Sequence, residues 1–174
     1  MKISVSTIES FESRQYELQF GLRELGSDPG VKLDGAARLN LEVAQMTEGH
    51  FMVRGVLRAP CRYECSRCIE SFPAEVEIPI AAVFVPEGDF AQITGGSTQD
   101  DDAAFWPYAQ SQLDLGPMVH EYLALSAPMQ PLCSVGCRGL CPHCGANLNE
   151  ATCSCAGDRV EPRLAPLRKL LPRR

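Results

Sequence analysis

The chain lacks any long apolar run. Its longest, Ile78 to Val85, is broken by Pro79 and falls well short of the ~20 residues that a bilayer span needs. Its opening residues, MKISVSTIESFESRQ, hold no apolar stretch of the kind that directs export, so the reading is a cytoplasmic protein with no membrane partner. Positive charge is in short supply: 16 Lys and Arg against 22 Asp and Glu leave −6, which argues against a whole-surface affinity for nucleic acid. The compositional bias of disordered or collagen-like chains is missing too, with 45% hydrophobic and 22% charged residues. A chain of 174 residues can build one domain around its own core without covalent staples.

Cysteine, by contrast, is abundant. The nine cysteines sit at 61, 65, 68, 133, 137, 141, 144, 153 and 155, six of them between 133 and 155. A disulfide framework does not suit a reducing compartment. Their spacing forms four close pairs: Cys65 and Cys68, Cys133 and Cys137, Cys141 and Cys144, Cys153 and Cys155. Eight paired thiols are the arithmetic of two structural zinc ions, each held by four thiolates. The preferred grouping puts Cys141, Cys144, Cys153 and Cys155 on one ion and Cys65, Cys68, Cys133 and Cys137 on the other. A rival grouping gathers only the six C-terminal cysteines around one or two ions. In CPHCG, Pro142 stiffens the loop and Gly145 can take a positive φ, which turns backbone N–H groups toward sulfur. His143 is a reserve ligand at best, and Cys61 is left over as a buried or half-buried thiol. Empty thiols and dithiol redox chemistry are the competing readings. Redox pairs favour a helix N-terminus, whereas CSRC leads toward a β-like stretch and CPHCG toward a loop. With two dications and eight thiolates the formal charge would move to about −10.

The rest of the chain reads as α+β: a mostly antiparallel sheet or small open barrel, one or two helices, and a C-terminal zinc-knuckle module. Residues 15–20, 36–46, 51–59 and 72–85 alternate as strands, with a hairpin turn at 47–50 and another turn at Asp28, Pro29 and Gly30. Gly55 reads as a bulge and Pro79 as an edge or bend. Residues 86–104 hold five acids and no Lys or Arg, and read as a flexible acidic excursion. Asp114 is a natural N-cap for a helix ending before Pro128. The expected organisation is a β-rich core over 1–85, the acidic excursion over 86–112, and a helix, cysteine module and basic tail over 113–174, all in one compact unit. The tail 158–174 carries six basic and two acidic residues. It makes Arg163, Arg168 and Lys169, together with Arg138 in the module, the candidate contacts for phosphate or an acidic partner.

These motifs, in order, resemble a known family. CSRCIESF is followed by a β-rich stretch, an acidic segment, LDLGPMVHEYLALSAPMQPLC, CRGLCPHCGANLN, CSC and PRLAPLRKLL. From about Gly55 to Leu171 this is similar to the YceD family of large ribosomal RNA subunit accumulation proteins. The resemblance implies a bacterial or organellar ribosome-biogenesis factor with no enzymatic activity and no small-molecule substrate. The implied partner is a large-subunit precursor, its ribosomal RNA, or a ribosomal protein such as the small zinc-ribbon protein of that subunit. Some family members keep the CxRC pair without the C-terminal cysteines. A dithiol redox protein and a zinc-dependent nucleic-acid adaptor remain the alternatives, the latter without a visible basic recognition helix.

Overall fold

The structure, a computed structural model, describes residues 1–6, 8, 12–25, 31–95, 104–155 and 163. Its elements are β1 (Lys2–Ser4), β2 (Ser13–Phe20), α1 (Leu22–Leu25), β3 (Lys32–Leu33), β4 (Ala37–Thr47), β5 (His50–Glu64), β6 (Ser71–Pro86), α2 (Glu87–Gly95), β7 (Ala104–Tyr108), β8 (Gln112–Asp114) and α3 (Leu115–Ser126). Six strands form one open sheet in the order β2-β4-β5-β6-β7, with β3 pairing the end of β5. All of these pairs are antiparallel except β6 with β7, which is parallel. β1 and β8 make a separate two-stranded ladder.

The alternation read from sequence places one row of side chains on the core side. Leu39, Leu41 and Val43 of β4 meet Leu57, Gly55 and Val53 of β5 across the ladder, and Ile80 and Ala82 of β6 follow on the next strand. Apart from the glycine, all of these are buried. α3 covers this face with Leu115, Met118, Val119 and Leu123. Asp114 caps that helix through a hydrogen bond from the Gly116 N–H, and Ala127 closes it just before Pro128. Tyr122 reaches from α3 to the margin of β6, donating to the Ala81 carbonyl at 2.7 Å and accepting from its N–H at 3.3 Å. β7 begins its ladder at the next residue, Ala82. Pro79 lies before that point, where β6 has a ladder partner only on the β5 side among the described residues, as its missing N–H requires.

Two readings are corrected. Gly55 is not a bulge: register runs unbroken from Leu41 through Gly55 to Ile80, and the irregularity falls between Gln45 and Thr47. Glycine is needed there because a Cβ would stand 2.0 Å from the Asn40 carbonyl oxygen. The acidic segment opens not as an excursion but as α2, and His50 meets Asp89 on that helix at 3.5 Å. β7 then returns beside β6, with Tyr108 packed edge-on against Phe51 and its hydroxyl bonded to the Gly49 carbonyl in the hairpin turn. Residues 28–30, 96–103 and most of the basic tail lie outside the described residues.

Candidate metal centre

β5 runs straight into Cys65, so the first C-x-x-C is the tight end of the long β5–β6 hairpin. The Cys65 N–H donates to the Glu70 carbonyl and the Ile69 N–H returns to the Cys65 carbonyl, both at 2.9 Å. The second C-x-x-C repeats this pattern residue for residue. The Cys141 N–H donates to the Ala146 carbonyl at 2.8 Å, and the Gly145 N–H to the Cys141 carbonyl at 2.9 Å. The residue after each second cysteine is left-handed: Gly145 at φ 73°, as CPHCG predicts, and Ile69 at φ 63°.

The first knuckle docks onto the segment that carries the third and fourth sulfurs. The Ser66 N–H and hydroxyl both donate to the Pro131 carbonyl, at 2.8 and 2.9 Å. The Leu140 N–H donates to the Arg67 carbonyl at 3.1 Å, while the Arg67 guanidinium donates to the Cys137 carbonyl at 2.9 Å. Gly139, at φ 72°, permits this approach, since a Cβ there would lie 3.0 Å from the Arg67 oxygen. Asn149, just beyond the second knuckle, reaches back to the first tetrad. Its Nδ2 donates to Cys137 Sγ at 3.3 Å, and its Oδ1 accepts the Arg138 N–H at 2.7 Å.

The eight paired sulfurs converge into two tetrads, Cys65 with Cys68, Cys133 and Cys137, and Cys141 with Cys144, Cys153 and Cys155, each within 4.8 Å. This is the preferred grouping, not the rival one. No disulfide joins any of the nine cysteines. Sulfur separations of 3.7 Å for Cys65–Cys137, 3.6 Å for Cys68–Cys133 and 3.4 Å for Cys141–Cys153 are far too long for a covalent bond. They are close to the edge of a tetrahedron with ~2.3 Å metal–sulfur bonds, which is about 3.8 Å. The donor set therefore fits a thiophilic dication in both places. Three of the four cysteines of the first tetrad are buried, whereas Cys144 and Cys155 of the second are exposed.

Local electrostatics favour partial ionisation. Burial raises the Cys65 thiol, but N–H groups of Cys133, Cys68 and Arg67 outweigh it and bring the pKa down to about 6. Backbone N–H groups of Cys144 and His143 bring Cys141 down to about 6. The Asn149 amide lowers Cys137. Cys155 is driven up, first by its hydrogen bond with Cys144. With no cation between them, four crowded sulfurs share protons; a dication removes that conflict.

Cys61 lies elsewhere, fully buried on the core face of β5, with its thiol toward the Ala59 carbonyl. His143 is exposed and outside the tetrads. Arg138 is exposed within the module and Arg163 is exposed beyond it, while Arg168 and Lys169 lie outside the described residues. Sequence reasoning did not pick out Asn149 or Ile69. The first belongs to the quoted GANLN motif, and the second is marked only by standing where the sister knuckle has glycine.

Among the described residues, no helix is long and apolar enough to cross a membrane. An uncharacterized protein of Mycobacterium tuberculosis is 29% identical over 154 residues, covering 88% of this chain and 69% of the relative. The large ribosomal RNA subunit accumulation protein YCED homolog 1, chloroplastic, of Zea mays is 25% identical over 143 residues, covering 69% of this chain and 48% of the relative. The Arabidopsis thaliana protein of the same name is 27% identical over 70 residues, or 40% of this chain and 22% of its own. No solved structure matches the chain significantly. The family profile described as large ribosomal RNA subunit accumulation protein YceD matches residues 53–171, from β5 through both tetrads, and the chain belongs to that family.

Proposed function

We propose that the chain is a non-catalytic, cytoplasmic ribosome-biogenesis factor that supports accumulation of large-subunit ribosomal RNA. It would bind the large-subunit precursor through its RNA or one of its proteins. The observation that carries this reading is the family match, which takes in both sulfur tetrads and α3. Zinc is the metal that best suits four thiolates in a closed tetrahedron, and a closed site has no open position for a substrate or an activated water. The eight cysteines would thus stiffen a segment with little apolar core of its own. Among the described residues, the second cluster of buried residues consists of Cys65, Cys68 and Cys137, with Phe72, Leu132 and Leu140 packed against it. Arg138, Arg163, Arg168 and Lys169 remain the proposed polar contacts.

The test is affinity purification of the tagged full chain from cells at low and high salt, with the co-purified RNA and protein identified and zinc counted on the same sample. Recovery of large-subunit precursors with two zinc ions per chain is the expected result. Metal-free protein with reversibly oxidised pairs and no ribosomal material would instead establish the dithiol reading.

A further inference from the structure

Five large apolar side chains are strongly exposed among the described residues: Met46, Ile69, Leu125, Met129 and Val135. Scattered singly, such residues mean little. Three of them belong to the loops of the first tetrad. Ile69 follows Cys68 and is 60% exposed, Val135 sits midway between Cys133 and Cys137 at 97%, and Met129 is fully exposed. The loops carrying Ile69 and Val135 meet where Cys68 and Cys133 approach to 3.6 Å. Met129 stands two residues before Pro131, whose carbonyl is held by Ser66 of the first knuckle.

Ile69 makes the case specific. A β-branched residue at positive φ is a steric outlier, and strain of this kind persists where the side chain serves a purpose. The sister knuckle closes with Gly145 in the same conformation, so the turn itself does not require a side chain. Packing does not require one either, because the Ile69 side chain is largely in solvent.

Charge identifies the occupant. Segments 64–70 and 129–155 carry Glu64, Glu70 and Glu150 against Arg67 and Arg138. Arg67 is exposed and spends one guanidinium N–H on the Cys137 carbonyl, so the five charges sum to −1. A dication in each tetrad still leaves about −2 at each site. An apolar surface on an acidic support repels a phosphate backbone and suits a cationic polypeptide.

We propose that Ile69, Val135 and Met129 form a docking surface for a basic protein that offers an apolar anchor. This deepens the functional reading above and rests on it: the direct contact of the first tetrad's apolar loops is a ribosomal protein, while Arg138, Arg163, Arg168 and Lys169 keep the polar contacts given above.

The experiment uses the metal-loaded full chain and two probes. One is the set of large-subunit ribosomal proteins, freed of RNA and titrated singly; the other is protein-free large-subunit ribosomal RNA. At least one basic protein is expected to bind. The double variant Ile69→Gly, Val135→Ser should weaken that binding by about tenfold or more, as loss of central apolar anchors does. Its metal content should be unchanged and its thermal midpoint no lower, since glycine relaxes the turn. The proposal is overturned if no ribosomal protein binds, if the double variant binds as the parent does, or if its loss appears only with RNA. If the parent still co-purifies with large-subunit precursors in any of those cases, the broader function stands and only this surface falls. Loss of that co-purification would defeat the broader function itself.

Discussion

Replacing Gly55 by alanine puts a methyl carbon where the neighbouring strand already has backbone. The added Cβ would lie 2.0 Å from the Asn40 carbonyl oxygen and 2.8 Å from Leu41 Cδ2. Relief to the ~3.0 Å limit of real contacts needs a shift of about 1 Å. The leucine tip can rotate, but the carbonyl cannot, because β4 is clamped between β2 and β5. Overpacking a rigid site costs about 1–3 kcal/mol, and backbone against side chain belongs at about 3. Alanine recovers ~0.5–1 kcal/mol through its smaller backbone entropy loss. The net loss is roughly 2–2.5 kcal/mol, which for a chain of this size lowers the thermal midpoint by about 4–10 °C. Thermal and urea unfolding of the metal-loaded protein measure it, and metal content should hold because Gly55 lies well within β5, away from Cys65. The sign is the decisive feature. At an ordinary strand position glycine to alanine stabilises, so a variant equal to or more stable than the parent would refute the close-approach reasoning.

Three further outcomes are expected. Asn149→Asp keeps an acceptor for the Arg138 N–H but turns an anion toward Cys137 Sγ, now 3.3 Å from the amide; metal affinity should drop 10–100-fold in competition with a chromophoric chelator, and unchanged affinity would reject the role given to Asn149. Limited chelator with an alkylating reagent should label Cys144, Cys153 and Cys155 before Cys65, Cys68 and Cys137, as read by peptide mass spectrometry; the reverse order would contradict the burial difference. Burial raises the Cys61 pKa, so folding favours its neutral thiol. Stability from this source is complete below the unfolded value of about 8.5 and is lost as pH rises through the higher folded value. Above about pH 8.5 the parent's thermal midpoint should therefore fall more steeply than that of Cys61→Ala, and parallel slopes would dismiss the effect.

The β4–β5–β6 meander was legible because each strand buries one face, so alternation survives in the residues themselves, as in Leu39, Leu41 and Val43. The tetrads were legible because a C-x-x-C turn presents two sulfurs together. α2 was hidden: EGDFAQITG carries two acids and two glycines and no strong apolar stripe, so its helix depends on neighbours. The parallel direction of β7 was hidden as well, because AFWPY is five residues long and its orientation is set by the crossover from β6. Pattern also misplaced the reason for Gly55, since a bulge and a close approach leave the same mark in sequence. Asn149 became visible only when folding brought its amide to a sulfur twelve residues away.

The two tetrads differ in how long their ligands wait for one another during synthesis. Cys141 and Cys153 are separated by 12 residues, so the second set emerges almost together. Cys68 and Cys133 are separated by 65 residues, which at ~5–20 residues per second is roughly 3–13 s of translation. For that interval the nascent chain can present the first knuckle as a two-sulfur half-site, open to oxidant or to a competing metal. The tetrad best shielded in the finished molecule is thus the one most exposed while it is being made.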